Sequence, residues 1–164
     1  MTNDTVIEQA IVLVRAVRAG EVRAPHVKAF FHEPTFTASY VVSDPMTKRA
    51  AIVDSVWDFD QPSGRTSFES ADEIIAYVQA QGFTVDWILE THAHADHLSA
   101  APYLQEKLGG KLVIGREIVT VQDVFGKIFN EGTEFARDGS QFDRLVADGE
   151  QLMVGEIPLI ALHV

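Results

Sequence analysis

Apolar residues along this chain follow two rhythms, and the switches between them mark out its elements. Near the start, Val6, Ile7, Ala10, Ile11, Val14 and Val17 recur at helical spacing, with Asp4 or Thr5 placed to cap. The pattern predicts a helix over residues 4 to 18, whose stripe is expected to serve as a packing face, a homo-oligomer contact or an appendage. The rhythm then shortens. Residues 27 to 31, 37 to 42 and 50 to 53 read as strands, the last two joined by a turn over Ser43-Asp44-Pro45-Met46-Thr47, and together they predict an antiparallel meander. Residues 57 to 66 hold Asp58, Asp60, Pro62, Ser63 and Gly64 and read as an exposed loop. His26 reads as a surface residue and His32 as a structural one.

From residue 70 onward, helical and strand patterns alternate. Ser70-Ala71-Asp72-Glu73 resembles a capping box, and Ile74, Ile75 and Val78 follow until Gly82 stops the helix. Residues 85 to 90 form a buried strand pattern, 98 to 108 a helix ended by Gly109-Gly110, and 111 to 114 a further strand. A helix is expected over 118 to 129, a long polar loop over 130 to 142, and a closing strand pair at 151 to 154 and 158 to 164. This order predicts an α/β (α+β) fold built on crossover units.

Between the strand at 85 to 90 and the next helix stands Thr91-His92-Ala93-His94-Ala95-Asp96-His97, which contains three of the six histidines of the chain. Such a loop at the carboxyl end of a strand is where open α/β sheets usually bind ligands. Imidazoles and a carboxylate suit zinc, iron or manganese, and the absence of cysteine removes the common structural-zinc arrangements. His92, His94, Asp96 and His97 are therefore candidate metal ligands.

The loop is similar to the H-x-H-x-D-H signature of the metallo-β-lactamase superfamily. Val27-Lys28-Ala29-Phe30-Phe31, Ser39-Tyr40-Val41-Val42-Ser43-Asp44-Pro45, Ser63-Gly64-Arg65-Thr66-Ser67 and Ile88-Leu89-Glu90-Thr91, running through the loop to Leu98-Ser99-Ala100-Ala101, resemble the bacterial persulfide dioxygenase and glyoxalase II-like branch. The resemblance divides the chain into a helical extension over residues 1 to 26 and, over 27 to 164, the N-terminal part of a metallo-β-lactamase-like domain. It implies an αββα sandwich, apparently truncated to its N-terminal half. It further implies that Fe(II) or Zn(II) is held with His92 and His94 at one position and Asp96 and His97 at a second. Asp54 and Thr91 would support these ligands through hydrogen bonds.

Two activities follow from the resemblance. A glyoxalase II-like hydrolase would cleave the thioester of a glutathione conjugate with metal-activated water. A persulfide dioxygenase would hold one Fe(II) with two histidines and an aspartate, of which His92 is one and the other two lie in the absent half, and oxidise glutathione persulfide to sulfite. There Asp96 becomes a catalytic base or hydrogen-bond partner. The flanking sequence favours the dioxygenase. A third expectation is an inactive fragment that binds metal weakly or only associates. Family members add a Pro-Gly-His ligand, a bridging Asp and a final His, none of which is among these 164 residues. His163 lies before the expected ligand, so the role is not carried onto it.

Composition narrows the partners. A net charge of −11 without a basic patch argues against nucleic acid, and no apolar run is long enough to span a bilayer. The acidic start lacks the basic region of a signal peptide, so a cytoplasmic location is expected. The partner is then a small-molecule thiol substrate, for which Arg65 is a candidate anion contact that nothing in the spacing demands.

Overall fold

Ile52, Ile74, Ile88 and Leu104, each 1% exposed or less, fix how the elements stack. Each buried side chain of this size stabilises by about 1.5–3 kcal/mol. The computed structural model describes residues 3 to 132 and 134 to 164, the side chains of Asn3 and Asp4 excepted, so the capping expected of Asp4 lies outside the described residues. Helix α1 (Asn3–Ala19) begins ahead of both expected caps. It rests on the body through Val6, whose methyl groups lie over Gly149, while Ile7, Ile11, Val12 and Val14 stay exposed.

The meander forms as the alternation predicts: β1 (His26–His32), β2 (Thr37–Asp44) and β3 (Arg49–Val53) pair antiparallel in sequence order. The chain then crosses over through helix α2 (Glu69–Gln81) to strand β6 (Thr84–Glu90), which lies parallel to β3. Helix α3 (Ala101–Leu108) leads in the same way to β8 (Lys111–Gly115), and β9 (Arg144–Val146) completes the edge. The resulting six-stranded sheet runs β1-β2-β3-β6-β8-β9. Helices α2 and α3 cover one face, around Ile52, Ile74, Val78, Ile88 and Leu104. The hairpin of β10 (Gln151–Val154) and β11 (Ile157–Ile160) covers the other, where Val113, Val146 and Leu152 pack against Trp87, Leu89 and Leu159. Helix layer, sheet and second β layer make an α/β/β stack, three layers of an αββα sandwich. Helix α4 (Ile118–Ile128) follows β8 beside the carboxyl ends of the parallel strands.

Strand β6 carries one irregularity. Its register against β3 steps from Ala50↔Val85 to Ala51↔Trp87, leaving Asp86 as an extra residue. Val85 and Ile88 consequently both face the helices, whereas Trp87 and Leu89 face the hairpin.

Several expectations are corrected. Residues 57 to 66 are not a loop: β4 (Val56–Asp60) and β5 (Arg65–Ser67) form a hairpin, and β4 also pairs with β7 (Leu98–Ser99), so the helix expected from residue 98 starts at Ala101. Asp58 is not an exposed turn residue. Its Oδ2 accepts the Ser70 backbone N–H at 3.0 Å, and its Oδ1 accepts the Ser70 hydroxyl and lies 3.3 Å from His32 Nε2. That carboxylate takes over the start of α2, and the capping box expected of Ser70 and Glu73 does not form. Gly82 ends α2 in the left-handed conformation, φ +66°, as expected. Strand β9 went unforeseen, and β11 stops at Ile160, short of the expected residue 164. Among the described residues, no helix is long and apolar enough to cross a membrane.

Candidate metal centre

Parallel pairing sets the carboxyl ends of β3 and β6 side by side, and the residue after each strand begins the site. Asp54 follows β3 with φ +49°, a left-handed conformation that aspartate tolerates better than most residues. Its own N–H bonds to Leu89 O on the neighbouring strand at 2.9 Å. The turn aims its carboxylate at the loop after β6. Oδ1 accepts the Thr91 backbone N–H and Oδ2 the Thr91 hydroxyl, both at 2.7 Å, and Oδ1 also lies 3.0 Å from His94 Nε2.

These bonds decide which ring nitrogens stay free. The Thr91 hydroxyl spends its hydrogen on Asp54, so the His92 Nδ1 that lies 2.8 Å from the same oxygen must donate to it. The lone pair of His92 is then on Nε2. His94 engages Asp54 through Nε2, which also stands 2.9 Å from Glu90 Oε2. Its Nδ1 is left facing Asp96, with Oδ1 3.9 Å away. His97 Nδ1 lies 3.3 Å from Asp96 Oδ2 and 3.4 Å from Thr37 Oγ1. Its Nε2 is buried without a hydrogen-bond partner.

The residues present fit a metal ion. Asp54, His92 and His94 form one group, and His94, Asp96 and His97 another, each offering one donor atom per residue with all donors within 4.8 Å of one another. The ring centroids of His92 and His94, and of His94 and His97, are 4.2 Å apart. A buried imidazole nitrogen with no partner is costly unless a ligand satisfies it. Neutral imidazoles with carboxylates behind them form a site for a divalent cation.

The electrostatics agree. Hydrogen bonding of its N–H to the Asp54 and then the Glu90 carboxylate pushes His94 up to about 10, so the metal-free ring carries a proton on Nδ1 that a metal would displace. Burial raises Asp54, but the bonds from His94 and Thr91 outweigh it and keep this carboxyl below its usual range. Asp96 is lowered chiefly by its contact with His97.

The profile of the Metallo-beta-lactamase superfamily matches residues 32–164. The chain belongs to that superfamily. A protein of Burkholderia pseudomallei (strain 1710b), described as a probable metallo-hydrolase, is 54% identical over 137 residues, which are 84% of this chain and 47% of that protein. Glyoxylase B2 of Dictyostelium discoideum is 41% identical over 132 residues, 80% of this chain and 45% of its own length. The chain thus spans about half the length of these relatives or less. Among solved structures, the fold is similar to that of ETHE1 from Myxococcus xanthus, with a TM-score of 0.56 at 22% identity over 81% of this chain and 45% of the other. Superfamily members are hydrolases and related enzymes whose fold binds divalent metal ions, and the histidine and aspartate groups described above are this chain's candidates for that role.

Asp54, Thr91, His92, His94, Asp96 and His97 meet at this one loop, and the three histidines among them line a cleft of about 720 Å³. Phe125, Phe129 and Phe142 line the cleft opposite the histidines. Arg65 lies on exposed β5, outside the cleft lining. His163, whose backbone N–H bonds to Asp148 Oδ1 at 3.0 Å, belongs to neither donor group. Sequence reasoning missed Glu90, Ser99 and Thr37. The available signal for Glu90 was a carboxylate closing the apolar run Trp87-Ile88-Leu89 just before the histidines.

Proposed function

We propose that the protein carrying this chain is an iron-dependent dioxygenase acting on the persulfide of a small thiol, glutathione persulfide being the favoured substrate. One observation carries the choice. The Asp96 carboxylate accepts the Thr37 hydroxyl at 3.1 Å and is met by His97 Nδ1 at 3.3 Å, both through Oδ2. An acid engaged in this way is set up as a hydrogen-bond partner for substrate more than as a ligand of a second ion. The flanking sequence supports the same branch.

In this reading His92 Nε2 is the triad ligand this chain supplies, with His94 Nδ1 a further lone pair close by, and Fe(II), when bound, would supply the redox chemistry that oxygen requires. Asp96, kept ionised by His97 and Thr37, accepts the persulfide S–H hydrogen and orients the terminal sulfur. Phe125, Phe129 and Phe142 give that sulfur an apolar wall. The overall reaction balances with one persulfide, one O2 and one water giving one thiol, one sulfite and two protons.

A second reading, zinc- or iron-dependent hydrolysis of a glutathione thioester, is favoured by one feature, the partnerless His97 Nε2, which a second ion would use. The relative named Glyoxylase B2 lends it support. The test is to load the protein anaerobically with Fe(II) and follow oxygen uptake and sulfite release on adding glutathione persulfide. Equal amounts of oxygen consumed and sulfite formed support the dioxygenase. Thioester hydrolysis without oxygen uptake selects the second reading, and inactivity in both assays removes both.

A further inference from the structure

Glu90 ends β6 as a charged residue among apolar ones, with its side chain 5% exposed. Oε1 accepts the Ser99 hydroxyl at 2.6 Å, and Ser99 Oγ in turn accepts the Ala101 backbone N–H at 3.0 Å, so the carboxylate is braced against the start of α3. Oε2 is different. It lies 2.9 Å from His94 Nε2, while Asp54 Oδ1 lies 3.0 Å from the same nitrogen. An imidazole nitrogen carries one hydrogen, so the two oxygens compete for it, sharing it or holding it one at a time. When Asp54 takes it, Glu90 Oε2 is buried with no donor. A buried carboxylate without full compensation is expensive and persists only where another positive charge offsets it. Among the described residues, no arginine or lysine is paired with Glu90. Once a metal occupies His94 Nδ1 and the ring is neutral, the positive charge facing Glu90 is that of the ion held by the histidine loop.

We propose that Glu90 is a second positioning residue for His94, sharing the Nε2 hydrogen with Asp54 so that Nδ1 is presented to the metal while the Glu90 charge strengthens the metal's hold. The two acceptors differ in what they brace. Asp54 ties the ring to Thr91 and the head of the loop, whereas Glu90 ties it through Ser99 to β7 and α3. Together they grip the ring from both flanks, which a single acceptor would leave free to pivot about one hydrogen bond. The alternative is that Glu90 serves only as a peg for Ser99. An uncharged side chain of the same shape would fill that role equally well.

The inference rests on the reading that the loop binds a divalent ion, and the experiment separates the two. Zn(II) affinity is measured by competition with a chromophoric chelator in the protein carrying this chain, in Glu90→Gln, Glu90→Ala and Ser99→Ala, with folding checked by circular dichroism. We expect Glu90→Gln, which still accepts from Ser99, to lose about 10- to 100-fold in affinity, the range found when hydrogen-bond partners of metal ligands are removed. Glu90→Ala should lose more, so that Gln counts as a partial rescue. Ser99→Ala, which keeps every carboxylate and imidazole, should lose about threefold as the brace slackens. A wild type that binds no zinc removes the metal reading and this proposal with it. A wild type that binds, with Glu90→Gln binding equally well, overturns the role of Glu90 alone. Should Glu90→Gln fail to fold, unchanged affinity in Ser99→Ala overturns it.

Discussion

Thr37 and Asp96 are 59 residues apart in sequence, yet the Thr37 hydroxyl donates to Asp96 Oδ2 at 3.1 Å. Thr37 opens β2 and itself receives a hydrogen bond from the Thr35 hydroxyl at 2.9 Å, so the β1–β2 turn steadies the acid of the metal loop. Thr37→Val keeps the side-chain shape and strand preference but deletes the donor. Metal affinity should fall by about tenfold with the melting temperature little changed. Unchanged affinity in a zinc titration would show that Asp96 is oriented by His97 alone.

His92 is exposed, and its side chain is held only by the Thr91 hydroxyl at 2.8 Å among the bonds described here. Replacing it with alanine removes only an exposed ring and its contact with His94, so stability should shift by no more than about 0.5 kcal/mol, as is usual for surface positions. Activity of the protein carrying this chain should be abolished. Retained turnover in His92→Ala would take His92 out of the ligand set.

Gly155 turns the β10–β11 hairpin at φ +59°, and a Cβ there would collide with the Thr47 hydroxyl and stand 2.8 Å from Asp44 Oδ2. Gly155→Ala therefore meets both the left-handed penalty and overpacking, for a combined cost of about 2–5 kcal/mol. Urea denaturation gives the value; a midpoint equal to that of the wild type would mean that the hairpin shifts freely away from the β2–β3 turn.

Asp44 predicts the acid limit of the fold. Its side chain has no exposed surface, and burial alone would raise its carboxyl. Hydrogen bonds from the Glu156 N–H, the Thr47 hydroxyl, the Met46 N–H and the Arg23 guanidinium outweigh burial and hold it well below the usual carboxylate range. A group lowered in the folded chain stabilises it at pH above the unfolded value, near 3.8, and loses that contribution as pH falls further. Stability should thus decline progressively below about pH 4, and Asp44→Asn, already weaker at neutral pH, should show a shallower decline. The slopes come from denaturation at stepped pH; parallel slopes in the two proteins would assign acid sensitivity to Asp54, Asp96 or the other lowered carboxyls.

The meander, the two crossover helices, β6 and the ligand loop could all be read from the order of apolar residues, because each depends on local periodicity. The β4–β5 hairpin could not. Asp58 and Asp60 alternate with Trp57 and Phe59 as a strand requires, but the following Pro62-Ser63-Gly64 lent the whole segment the look of a loop. Asp58 is polar there because it receives the start of α2 and His32, partners that only the folded chain supplies. Asp54, Thr91 and the four loop residues were legible as a motif. Glu90 and Thr37 were not, since each reaches the site by a contact that no spacing encodes.

The extra residue at Asp86 has a reach beyond its own strand. Alternation is a parity, and an insertion inverts it for every position downstream. Val85 and Glu90 differ by an odd number of residues, yet both are buried, and Glu90 reaches Ser99 at the start of the helix layer. Straightening the bulge with Asp86 kept in strict alternation would turn Leu89 toward the helices and Glu90 toward the hairpin, placing an alkyl group on the face where His94 now meets a carboxylate. One residue, upstream of Glu90 on the same strand, acts as a phase setting for the metal loop. A strand repaired to ideal geometry would be the one that spoils the site.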